Sequence, residues 1–118
     1  MKQILFVWAL LTTGFVNAGG AIVVGGFDDK AIRVSLSSPG DGIDIKTKTD
    51  LIALISEGLS ADDITTVTAK TVGFEGDIIY CVQFPNSKVM SQYFDKYNAI
   101  ILKAKNASAF TAPSCDLN

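Results

Sequence analysis

Residues 43–58, IDIKTKTDLIALISEG, decide the fold, because their apolar period changes part-way along. In the first half the residues alternate, with Ile43, Ile45, Thr47 and Thr49 on one side and Asp44, Lys46 and Lys48 on the other. That is the period of a half-buried strand. From Asp50 onward the spacing becomes helical, and Leu51, Ile52, Leu54 and Ile55 form an apolar stripe. Thr49 is placed to cap such a helix, Asp50 to sit at its positive end and Gly58 to stop it. The stretch therefore reads as a strand over 43–49 running into a short helix over 50–57.

A strand at 43–49 needs a neighbour, and residues 31–37, AIRVSLS, offer one. Ile32, Val34 and Leu36 share one face there, Arg33, Ser35 and Ser37 the other, and the intervening SSPGDG has turn composition. The two runs make a hairpin. Downstream, the β-branched run ITTVTAKTV over 64–72 favours a strand. A Gly-containing turn joins it to IIYCVQF over 78–84, giving a second hairpin. In this last strand Ile78, Tyr80, Val82 and Phe84 share one face, and Cys81 points to the other with Ile79 and Gln83.

Pro85 ends that strand, and Asn86 or Ser87 can cap a helix beginning there. Val89, Met90, Tyr93, Phe94, Tyr97, Ile100, Ile101 and Ala104 then recur at steps of three and four. This predicts an amphipathic helix over 87–105, with the weaker alternative that it stops near Asn98 and AIILKAK becomes a strand. The order of elements gives an α+β fold. Residues 31–105 form one small domain, an antiparallel sheet of about four strands with one short helix and one long C-terminal amphipathic helix packed on one face.

Upstream, Lys2 precedes an uncharged run, ILFVWALLTTGFV, followed by NAGGA. This reads as a secretory signal peptide over 1–18, with Val16 and Ala18 at the small-residue positions and cleavage between Ala18 and Gly19. The run is about thirteen residues, short of the roughly 20 that span a bilayer, so no stable membrane anchor is expected after cleavage. Residues 19–30 read as a Gly-rich leader. Removing residues 1–18 takes away Lys2 and no acid, so the formal charge moves from −2 to −3. A mildly acidic chain with no basic run offers no electrostatic footprint for nucleic acid.

Export changes how Cys81 and Cys115 are read. A secreted or periplasmic compartment favours one intramolecular bridge between them. With no histidine in the chain and no C-x-x-C, a zinc site or redox pair has little support. A helix over 87–105 carries the chain roughly 28 Å from the strand. The residues from Asn106 to Cys115 reach back at most roughly 33–36 Å. The tail 106–118 is thus expected to double back along the helix and be tethered to Cys81, with Phe110 the residue best placed to bury itself.

The chemistry is mostly a record of absences. Lack of histidine removes a Ser-His-Asp triad, a Cys-His pair and histidine-ligated metals, and no S-x-x-K occurs. Gly19, Gly20, Gly25 and Gly26 match neither a dinucleotide fingerprint nor a P-loop. Asp28, Asp29, Asp41 and Asp44 lack the spacing of a calcium loop and read as turn and cap residues. Glu57 and Glu75 are the two glutamates left after cleavage, and nothing places them across a cleft as glycoside hydrolysis requires. Asn106-Ala107-Ser108 is a glycosylation sequon, meaningful only in a eukaryotic secretory pathway. The short, lightly charged leader favours a bacterial envelope protein. No enzymatic role and no cofactor are expected.

What remains is a small exported binding module, an inhibitor or immunity-type protein that recognises another protein through the open face or an edge of its sheet. The alternative is a structural or accessory subunit of a cell-envelope or secreted assembly, self-associating through a cysteine or the long helix. Tyr80, Tyr93 and Tyr97 are candidate interface anchors, since tyrosine is enriched in hot spots. This element order is shared by many unrelated proteins and assigns no function by itself.

Overall fold

A computed structural model describes residues 21–37, 42–73 and 76–115. In chain order the elements are β1 (Ala31–Leu36), α1 (Ile45–Ser60), β2 (Thr66–Val72), β3 (Asp77–Gln83), α2 (Ser87–Lys103) and β4 (Ala107–Ala112). The four strands form one antiparallel sheet in the order β2-β3-β1-β4. The α+β class, the four strands and the long amphipathic helix are as expected.

Two segments exchange roles. Residues 45–49 are not a strand but the first turns of α1, which runs from Ile45 to Ser60 instead of over 50–57. Its N-cap is Asp44, not Thr49: one carboxylate oxygen accepts from the Thr47 N–H at 3.2 Å, the other from the Thr47 hydroxyl at 2.9 Å and the Lys105 N–H at 3.0 Å. The hairpin partner foreseen for β1 is replaced by β3 on one side and β4 on the other. Both sides of β1 are thereby filled by strands distant in sequence. A 43–49 strand has nowhere to pair, and Ile45 is left 65% exposed.

Gly58 does not stop α1 either. It is buried inside the helix, and a Cβ there would come within 2.5 Å of Ile64 Cδ1. The stop lies at Asp62, whose φ is 64°: its N–H donates to the Leu59 carbonyl and the Asp63 N–H to the Gly58 carbonyl. These are the two bonds of a Schellman motif, with aspartate in the place glycine usually takes.

The expected tail becomes the fourth strand. β4 pairs along all of β1, with Val34 opposite Ala109 and Arg33 opposite Phe110. Alternation then decides burial: Ala109 and Thr111 face the helices and are buried, and Phe110 faces away and is 43% exposed, the reverse of the expectation. The leader also joins the sheet. Val23 forms a parallel bridge to Phe110, its N–H donating to the Ala109 carbonyl and its carbonyl accepting from the Thr111 N–H.

Both helices cover one face. Ile32, Val34, Leu36, Tyr80 and Val82 meet Leu51, Leu54, Ile55, Met90, Tyr97 and Ile101 in a single core. α2 packs over β1 and β4, and α1 lies beside α2. Among the described residues no helix lies on the opposite face. Cys81 lies there, joined to Cys115 with a Cα–Cα distance of 5.8 Å, within the usual range for a disulfide.

Candidate interaction surface

The three tyrosines singled out by composition all belong to the core. Tyr80, Tyr93 and Tyr97 are buried, and Phe84 stacks on Tyr93 at 5.4 Å and meets Tyr97 edge-on at 6.3 Å. The Tyr93 hydroxyl donates to Asp63 Oδ2 at 2.5 Å. That bond, aided by burial, pushes its pKa up to about 12. Burial raises Tyr80 and Tyr97 as well, and the Tyr97 hydroxyl is buried with no hydrogen-bond partner among the described residues. Such rings hold the core together and do not reach a partner's surface.

The helix-free face is also not an apolar platform. Thr68, Cys81, Arg33 and Phe110 form one cross-strand row, with Lys70, Ile79, Ser35 and Ser108 in the next. Residues 113–115 close over it, and the Cys115 N–H donates to Gln83 Oε1 at 2.9 Å. Glu57 is on α1, exposed and ion-paired with Lys96 at 2.9 Å, while Glu75, like the Ala18–Gly19 junction, lies outside the described residues. The sequon residue Asn106 is exposed at the turn into β4.

One concentration of exposed apolar surface is on the segment that reads as a leader. Val23 is 65% exposed, Val24 59% and Phe27 95%. What holds them out is a small polar network. Asp29 is buried, and its Oδ2 accepts from the Gly26 N–H at 2.9 Å and from the Thr111 hydroxyl at 2.6 Å. The Thr111 oxygen in turn accepts from the Gly25 N–H at 2.8 Å. The turn Gly26–Asp29 is thereby tied to β4 from within, and Phe27 stands at its tip. A Cβ at position 25 would lie 2.9 Å from Asp29 Oδ2 and 3.1 Å from the Thr111 carbonyl, so the close approach requires glycine.

Below this turn an open groove of about 440 Å³ runs to the start of α2, where Val24 and Phe27 face Met90 and Phe94. Lys88 and Asp95 stand on its rim. The groove is suited to an apolar side chain, with Ser87 and Ser91 among the polar residues that line it. Among the described residues no cluster of histidine, cysteine, aspartate or glutamate is suited to a metal. Sequence reasoning missed this site because a Gly-rich stretch behind a cleavage site reads as flexible. The one local signal was Asp29 three residues after Gly26, the spacing of a side chain closing its own turn. No family model, no curated protein and no solved structure matches this chain.

Proposed function

We propose that this protein is a small exported binding module that recognises another protein through the Val24–Phe27 turn and the groove beneath it. The observation that carries the reading is Phe27, 95% exposed on a turn pinned by a buried carboxylate. Burying a phenylalanine is worth about 1.5–3 kcal/mol, a gain the isolated fold forgoes at this position. A rigid aromatic beside an apolar groove suits a hot spot, because the partner need not order it on binding. The Cys81–Cys115 bridge fits an oxidising compartment, and among the described residues no helix is long and apolar enough to cross a membrane. Export itself rests on residues 1–18.

The test is a non-reducing capture of the exported protein from its host, run in parallel with Phe27→Ser. Because Phe27 is almost fully exposed, the variant keeps the fold. The expected result is a bait whose chain begins at Gly19, in a 1:1 complex with one unrelated protein that Phe27→Ser fails to retain. Equal recovery by both baits removes the groove reading.

A further inference from the structure

The opposite flank of the molecule carries two features that are unpartnered among the described residues and that one occupant explains. The first is β2, the outer strand of the sheet on that side, mostly exposed along its length. The second is on α1, where Ile45, Ile52 and Leu59 recur every seven residues and are 65%, 42% and 51% exposed. Glu57, paired with Lys96, marks the side of α1 that faces α2. At 3.6 residues per turn, the three aliphatic residues lie about 120–160° around the helix from Glu57. They point away from α2, out over β2.

Strands repeat at about 4.8 Å and helices pack at 8–10 Å, so one helix covers two strands. α2 covers β1 and β4, which leaves α1 to β3 and β2. Suppose the sheet continued across its β2 edge into the β2 of a second copy. The two α1 helices would then stand about two strand spacings apart, roughly 10 Å, the distance at which helices pack. We infer that the protein forms a symmetric dimer in which β2 pairs with β2 and the Ile45, Ile52 and Leu59 stripes of two α1 helices meet over the joined strands.

The sequence of β2 suits such self-pairing. Thr66–Val72 reads TVTAKTV, with Ala69, its smallest side chain, at the centre. Antiparallel pairing about Ala69 sets Lys70 opposite the second copy's Thr68, so the strand's one charge never faces itself. The helical stripe is centred likewise on Ile52, with Ile45 meeting the second copy's Leu59. An isologous contact demands this self-complementarity, and an unrelated partner would not.

Sedimentation of the disulfide-bonded exported protein over a concentration series tests the inference. The expected result is a reversible monomer–dimer equilibrium, with a dimer Kd raised roughly tenfold or more by Ile52→Glu and separately by Leu59→Glu. A mixture of Ile52→Glu and Ile52→Lys should restore dimers. Phe27→Ser, in the groove on the other flank, should leave them unchanged. Should one glutamate variant fail to fold by circular dichroism, the other carries the test. A wild type that stays monomeric at millimolar concentration overturns the dimer. So does a dimer indifferent to both glutamates, or one abolished by Phe27→Ser, which would move the contact to the groove.

Discussion

β4 and β2 are the two edges of one sheet, and the chain treats them in opposite ways. β4 is covered: Val23 pairs along it, Asp29 and Thr111 pin the strap from beneath, and Cys115 locks the residues just beyond it to β3. β2 has Lys70 and exposed threonines, and no strap among the described residues. Unpaired edges invite other strands, and proteins usually blunt them with charge or cover. Here the covered edge displays an apolar turn, and the bare edge displays an apolar helix stripe. On the two proposals above, the flanks serve different encounters.

The largest break in this asymmetry is to release the lock. Replacing Cys81 and Cys115 by serine removes a bridge closing 34 residues and should cost about 3–4 kcal/mol, read from denaturant unfolding. Asp29→Ala comes next. It leaves the Thr111 O–H and the Gly26 N–H without their acceptor and should cost about 1–3 kcal/mol. Amide exchange should speed up at Val23 and Thr111 while β2 and β3 stay protected; uniform acceleration would mean that the strap is part of the global fold.

The β2 flank should respond to alkali instead. Tyr93 pins Asp63 just ahead of β2 and holds its proton to about 12 against 10.0 for the free side chain. A folded-state pKa above the unfolded one gives stability that is complete below pH 10 and fades as the pH climbs through 12. All three tyrosines are raised, so the folded protein should show less phenolate absorbance at pH 10 than the unfolded chain, and Asp63→Asn should lower the Tyr93 transition. The smallest effect on stability, within about 0.5 kcal/mol, is expected for the exposed Lys70→Val. It should nonetheless promote association through the bare edge, and unchanged sedimentation would show that the charge guards nothing.

Much of the fold was legible where patterns were local. The stripe from Val89 to Tyr97, bounded by Pro85 and capped by Asn86, is a helix on either reading, and the structure carries it on to Lys103, against the alternative that ended it near Asn98. Tyr80, Val82 and Phe84 point into the core because strand alternation says so. The candidate site was not legible. Its residues, Val24 and Phe27 on one side and Met90 and Phe94 on the other, are separated in sequence by three of the four strands, and two of them looked like ordinary members of a core stripe.

By itself, then, the sequence determined the α+β class, the long helix, the faces that β1 and β3 bury and the pairing of its two cysteines, since these come from apolar period and cysteine count. The tertiary structure alone decided that 45–49 joins a helix and 107–112 a strand. IDIKTKT satisfies a period of two and also offers Asp44 as a helix cap. Only the occupation of both sides of β1 by β3 and β4, a long-range fact of pairing, settles which one forms.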